Sequence, residues 1–524
     1  MSPLRFCLCF LLSAAAAGAD YFDDTGFRAL ASAVGPALPD GAGLGVTQVE
    51  FGIPGYLPEA GNGTFTGTTG LMAGKTFSAK SGASSVSGHA VAVGAHFYGN
   101  NTTPDMGRAG FTPGIALIDL YIVDAAGSEA SWLEAAFLTP GLLLPPRPEP
   151  NVAQNHSWIS DGSSATASIE NDLLQRFDFA IVRDGFLAVT GVNNRASAVP
   201  ALMASAYNNL AVGVSSGHHS TGGVPPWLDG PGRQKPEIVA PLDFTSFSTP
   251  LVGSAAVLLR QAAGSQGPAA SRPETLKAIL LTGATKEEFP NWLHTPAVPL
   301  DGVLGAGELH IGNSWDILAG QEQASNLTAP RPETAWSSVV LTPGTTADYI
   351  LKIPPGSYSE TLTATACWNR IVRDTDPGTS FLIAVDPLAD YNLDLSRVPP
   401  GGSPLLLEKS VSTSDNLEHL YRRRIPSGTY RLRLSLVSGA DVPAALAWRI
   451  RTLPHRPAIT LTRSGGQDQL EFSGLLTDQP YLIQSSSDLL TWTNGPAFTA
   501  SGPVHIHNTG STPDRRFYRL AATD

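Results

Sequence analysis

The sequence predicts an α/β unit built on a parallel sheet with helices on both faces, followed by a β-sandwich and a small C-terminal β unit. Three observations predict it. Between Gly45 and Leu318, short apolar runs alternate with amphipathic stretches of helical length, the pattern of strands buried on both faces by crossover helices. After Ala329, strand-like runs follow one another across Pro-Gly, Ser-Gly and Gly-Gly turns without helical periodicity. The 524 residues include 53 Gly and 42 Pro, with 42% hydrophobic and 15% charged residues. That composition provides buried cores and many turns and does not fit a disordered chain.

Residues 1–19 read as an export signal. Arg5 supplies its positive end, Phe6 to Leu12 its apolar run, and Ala17-Gly18-Ala19 the small residues before Asp20. The run is too short to span a bilayer, and no later run is long enough. The expected location is therefore secreted or periplasmic. Loss of this segment removes Cys7 and Cys9 and leaves Cys367. A lone cysteine makes no internal disulfide, so stability must come from packing, as in exported bacterial proteins. Cys367 lies in the strand-like run Thr363 to Trp368 and reads as a buried, inert thiol.

Residues 20–325 form the expected α/β unit. Its strands are Val46–Phe51, Ile115–Val123, Phe186–Thr190 and Leu210–Val214; its helices are His89–Phe97, Ser168–Phe179, Pro250–Ala263 and Pro273–Thr282. Pro250 suits a first helical turn, where its missing N–H is not needed. Residues 326–452 form the sandwich, with strands such as Ala347–Ile353, Phe381–Val385, Thr429–Leu436 and Ala445–Arg451. Leu453 to Pro457 reads as a linker. Residues 453–524 form the last unit, with strands Gln469–Phe472, Tyr481–Ser485 and Arg516–Leu520. The net charge is −12 with a pI near 5.4, and no basic patch appears, which argues against a nucleic-acid partner.

The chemistry lies in four ordered runs. The most informative is Lys235-Pro236-Glu237-Ile238-Val239-Ala240-Pro241, followed by Thr245-Ser246-Phe247-Ser248-Thr249-Pro250. A serine just before a helix can expose its hydroxyl while the helix N-terminus stabilises negative charge on it. Taken alone, Ser246 or Thr249 serves equally well as an N-cap. The run resembles the nucleophile motif of subtilisin-like serine peptidases, Lys-Pro-Asp-Ile-x-Ala-Pro and then Gly-Thr-Ser-Met-Ala-Thr-Pro. Here Phe244 replaces the glycine, and the loop after Pro241 is short.

The remaining runs extend the resemblance. Ser87-Gly88-His89-Ala90-Val91-Ala92-Val93-Gly94 is similar to the family's Gly-His-Gly-Thr-His-Val-Ala-Gly and puts His89 at the base. A shifted register would put Ser87 there and leave a dead site. Gly45-Val46-Thr47-Gln48-Val49-Glu50-Phe51-Gly52 resembles the strand ending in the family's Asp-Thr-Gly, with Glu50 in place of aspartate. On this reading Glu50→Asp should be tolerated and Glu50→Gln should not. Phe186 to Asn194 resembles the strand that ends in the oxyanion asparagine and puts Asn193 there, although Val192 replaces a glycine. Gln154-Asn155-His156-Ser157-Trp158 resembles the strand lining the substrate cleft, which makes Ser157 and Trp158 substrate-binding residues and its edge a site for β-augmentation. Gly305-Ala306-Gly307 resembles the Gly-x-Gly before the last helix.

The resemblance covers residues 43–318 in the family's order. It implies a subtilisin-like fold and a serine endopeptidase with Glu50, His89 and Ser246 as triad and Asn193 as oxyanion donor. Its substrate would be protein or peptide, with no metal and no cofactor. Asp20 to Leu44 leaves no room for the usual propeptide. The same departures also fit a catalytically silent scaffold whose β-modules bind protein or glycan. Asn392 to Leu395 and Ser414 to His419 resemble sandwich modules of exported bacterial peptidases, without calcium-ligand spacing. Ser486 to Trp492 with Arg516 to Leu520 resembles a C-terminal β-module, in which Trp492 reads as core packing before carbohydrate stacking.

Overall fold

In the computed structural model, the described residues are 20–523 apart from 53, 69, 101–108, 124–130, 136–142, 161–166, 196–197, 231, 465–466 and 511–515. The expected export signal lies outside them. The apolar runs form an eight-stranded sheet. Its strands are β1 (Gly45–Glu50), β2 (Thr64–Thr66), β3 (Thr76–Ala79), β4 (Leu117–Ile122), β5 (Ala153–His156), β6 (Leu187–Gly191), β7 (Leu210–Val214) and β8 (Ile238–Ala240). The spatial order is β8-β7-β6-β5-β1-β4-β3-β2. Every neighbouring pair is parallel except β2 with β3. β6 and β7 are buried at every residue, as strands covered by helices on both faces must be.

The helices of eight or more residues are α1 (Phe27–Val34), α2 (Gly88–Tyr98), α3 (Ala167–Asp184), α4 (Thr245–Ala263), α5 (Pro273–Gly283) and α6 (Ile311–Ala319). α4 begins at Thr245, not at Pro250, so Pro250 is its sixth residue and lies inside the helix. The expectation of a first-turn proline is thus corrected, with a consequence at the candidate site. Gly305 and Gly307 both take positive φ before α6, where a Cβ would strike the Glu237 and Thr285 backbones at 2.4 and 2.0 Å. Only glycine fits there.

The sandwich begins with a strand at Asn326 and pairs a five-stranded with a four-stranded sheet. Tyr349, Leu351, Trp368, Leu432, Leu434 and Trp448 fill the space between them. α5 is buried along its whole length. It lies between the two modules, so that Ile279 and Leu281 share one core with Trp336, Cys367 and Ala447 of the sandwich. Arg370 of the sandwich is also buried, 2.5 Å from Asp178 on α3 and 2.7 Å from Asp229. The two predicted domains therefore behave as one packed body. A strand runs from Pro443 to Pro454, which shortens the expected linker to His455–Pro457. The last unit pairs two three-stranded sheets over Leu470, Phe472, Tyr481 and Ile483. Trp492 stands outside that core, with the Arg519 guanidinium 4.2 Å over its ring. The expectation of core packing is corrected, and that face of the indole is already covered. Cys367 is buried, and burial pushes its thiol up to about 12. Among the described residues, no helix is long and apolar enough to cross a membrane.

Candidate active site

Glu50 and His89 meet at the C-terminal end of β1. This strand is central, held between β5 and β4. Side chains alternate along it, so Gln48 and Glu50 share a face. α2 starts over that face, with the Ser87 hydroxyl capping it by accepting from the Ala90 N–H at 3.4 Å. Ser87 is therefore a cap, and His89, the second helical residue, turns its ring toward the strand. His89 Nδ1 lies 2.6 Å from Glu50 Oε2. A carboxylate only accepts, so Nδ1 donates and Nε2 is left as the basic nitrogen. Glu50 is 2% exposed, whereas a quarter (25%) of the His89 side chain remains accessible. Burial pushes the imidazole pKa down, but the Glu50 charge and its hydrogen bond outweigh this and hold it above the ordinary histidine value. β1 is pinned on both sides, so the contact depends on the full length of the glutamate side chain.

Ser246 is the second residue of α4. Phe244 occupies the N-cap and provides no side-chain cap. Asn194 replaces it from outside the helix, its Oδ1 accepting from the Thr245 N–H at 2.9 Å and hydroxyl at 3.2 Å. Pro250 lacks the N–H that would close on the carbonyl four residues earlier, that of Ser246. The Ser157 hydroxyl donates to this carbonyl at 3.0 Å. Pro250 and Ser157 thus form a matched pair, one freeing an acceptor and the other satisfying it.

Both helices start at the C-terminal end of these central strands. Gly191, the last residue of β6, faces Thr249 and Thr245, and Gly253 further along α4 faces Val189 and Phe97. On α2, His89 meets the end of β1 while Phe97 packs with Val46 near its beginning. Each helix therefore runs back along the strands. Phe97 lies eight residues after His89 and Gly253 seven after Ser246, so from their contact both lead back about 11–12 Å to the same end. β5 lies between β1 and β6, and Val49 pairs with His156, which brings Ser157 beside Glu50, about one strand spacing (~4.8 Å) away. Among the described residues the Ser246 hydroxyl has no hydrogen-bond partner, His89 included. Unliganded catalytic pairs are often loose and tighten with substrate.

Asn193 follows β6. Its N–H donates to the Ser220 hydroxyl at 3.0 Å, and its carbonyl accepts from the Ser220 N–H at 2.7 Å. The backbone is held from both sides while the half-exposed amide has no partner among the described residues. Ser157 stands at the site through its bond to Ser246. Trp158 does not face a cleft: its indole donates to His156 Nδ1 at 3.1 Å and packs with Trp132 and Phe177 in the core. β5 is paired on both sides, so β-augmentation along it is also corrected; only backbone beyond His156 leaves the sheet. Lys235 and Glu237 of the motif are structural. Glu237 is buried, with Lys235 Nζ at 3.0 Å and Lys277 Nζ at 2.7 Å, and it also accepts from the Ala211 N–H at 2.9 Å. Among the described residues, no group of three or more His, Cys, Asp or Glu is placed to hold a metal ion.

Sequence reasoning missed three residues. Asn194 reads as an ordinary turn asparagine. Gln48 carried a signal, since two positions before Glu50 on a strand means the same face. Tyr98 carried none, because nothing local ties the end of α2 to β1.

No family model matches the chain, and no curated protein matches it. The comparison with solved structures gives matches at low identity and low TM-score. The self-cleaved protease domain of PatA is 17% identical, covering 53% of this chain and 98% of its own, with a TM-score of 0.34. A lanthipeptide protease is 14% identical over 57% of this chain and 95% of its own, with a TM-score of 0.38. Pseudomonas sedolisin, a serine-carboxyl proteinase, is 14% identical over 59% of this chain and 99% of its own, also with a TM-score of 0.38.

Proposed function

We propose that this chain is an exported, subtilisin-like serine endopeptidase using Glu50, His89 and Ser246. In this reading His89 Nε2 takes the Ser246 proton as the oxygen attacks a peptide carbonyl. Glu50 holds the ring in its Nδ1–H tautomer and stabilises the imidazolium. The Asn193 amide donates to the tetrahedral oxyanion, a contribution of about 3–4 kcal/mol where such a donor has been removed in subtilisin. The imidazolium then protonates the leaving amine, and water, deprotonated by the same ring, hydrolyses the acyl-enzyme.

The observation that supports this reading is the 2.6 Å contact between His89 Nδ1 and Glu50, made at the same end of the strands as the start of α4, whose second residue is Ser246. A buried carboxylate spent on orienting a partly exposed imidazole is unusual in a purely structural role. The test is a fluorophosphonate probe with mass mapping of the adduct. The expected result is one adduct, on Ser246, lost in Ser246→Ala and His89→Ala. An unlabelled folded protein, or an adduct elsewhere, overturns the reading.

A further inference from the structure

We propose that Gln48 and Tyr98 are positioning residues, a buried relay that sets the Glu50 carboxylate against His89; this rests on the peptidase reading above. One amide makes both connections. Gln48 Nε2 donates to Glu50 Oε1 at 2.7 Å and to the carbonyl of Ala90 at 3.1 Å. Ala90 follows His89 directly, so a single planar group ties the acid to the backbone that carries the base. The Tyr98 hydroxyl donates to Gln48 Oε1, and Gln48 and Tyr98 are both fully buried.

This network admits one orientation. A carboxylate and a carbonyl need donors, so both amide hydrogens are committed, and the amide oxygen must receive the phenol proton. Flipping the amide would set its oxygen against two acceptor oxygens, those of Glu50 and Ala90. Gly94 makes the relay possible, because a Cβ there would lie 2.6 Å from the Tyr98 hydroxyl. The result is a chain of contacts from Tyr98 through Gln48 and Glu50 to His89. Glu50 carries one methylene more than aspartate and so one more rotatable bond. Gln48 fixes the oxygen not used by His89 and leaves the other aimed at Nδ1.

The test compares parent, Gln48→Leu and Tyr98→Phe. Two quantities are measured: the rate of Ser246 labelling by the fluorophosphonate, and the titration of the His89 ring by NMR. The expected result is a labelling rate about tenfold or more lower in Q48L, equivalent to about 1.4 kcal/mol in the barrier. The His89 midpoint should fall toward the ordinary value as the carboxylate swings away. Y98F should show the same changes at smaller size, and it keeps the test valid if Q48L does not fold, since only a hydroxyl is removed. A purely structural role would lower thermal stability and leave the titration unmoved, and that outcome overturns the proposal. If the parent labels and Y98F matches it in both measurements, the relay is likewise refuted. If the parent does not label at all, the peptidase reading fails, while the titrations still decide whether Gln48 and Tyr98 hold Glu50.

Discussion

Shortening Glu50 to aspartate tests the site most directly, because the structure reverses what the sequence suggests. Aspartate is the residue found in the resembling motif, so Glu50→Asp looks like a restoration. In this chain β1 is hydrogen-bonded to a strand on each side up to its last residues, and its backbone cannot advance. Removing one methylene withdraws the carboxylate by about 1.5 Å. The 2.6 Å contact to His89 Nδ1 then opens to about 4 Å, which is no hydrogen bond. The Gln48 contact at 2.7 Å opens as well. A hydrogen bond to a charged group contributes about 1.5–3 kcal/mol, so kcat/KM should fall about 10- to 150-fold. Glu50→Gln keeps the reach but removes the charge. A neutral amide at the acid position of a Ser-His-acid triad costs about 10⁴-fold. The assay is the second-order rate of Ser246 acylation by a chromogenic peptide ester, followed with fluorophosphonate titration of competent sites. Parent-level activity in Glu50→Asp would refute the reasoning, since the length of the side chain would then not matter.

Four further expectations follow from the same contacts. His89 must be neutral to act as base and is held above its ordinary value by Glu50, so kcat/KM should rise with pH through a midpoint above 6.5; in Glu50→Gln that midpoint should drop, because burial then acts unopposed, and an unchanged midpoint contradicts this. Glu237→Gln leaves Lys235 and Lys277 buried without their carboxylate and should cost about 3–5 kcal/mol in urea unfolding. Burial opposes ionisation of Glu237, but the two ammonium groups hold its pKa below the ordinary 4.5; the stabilisation is therefore present above that value and fades as pH falls through the lowered one, where parent and variant should converge. Ser157→Ala strands the Ser246 carbonyl that Pro250 cannot satisfy and should cost about 1 kcal/mol, with slower Ser246 labelling; an unchanged rate would show that this bond does not place the helix start. Cys367 should resist iodoacetamide in the native protein at pH 8 and react once unfolded, and rapid native reaction would contradict its burial.

Part of the α/β unit was legible because strands such as β6 and β7 are buried along their whole length and read as apolar runs. Leu210–Val214 is the same in sequence and structure, and α2 and α5 differ from expectation by one residue at their ends. The start of α4 was not legible. Pro250 is a strong local signal for a first turn, and it was overridden because Ser157, almost ninety residues away, supplies the donor that makes an internal proline tolerable. Trp158 was misplaced because a motif position says nothing about which way an indole turns once the strand is central. Trp492 was misread for a related reason: a lone tryptophan in a small β unit looks like core until an arginine is found stacked on it.

By itself the sequence determined the order of elements and the residue types at the site, because periodicity, glycine and the spacing of motifs are local properties. It also determined that one carboxylate longer than aspartate ends β1. Only the tertiary structure decided that Glu50 reaches His89, that Tyr98 reaches Gln48 beside it, and that Asn194 and Ser157 set the start of α4. These contacts join residues 39 to 89 positions apart. Hydrogen-bond geometry at that separation is set by strand order and helix packing, which no local pattern encodes.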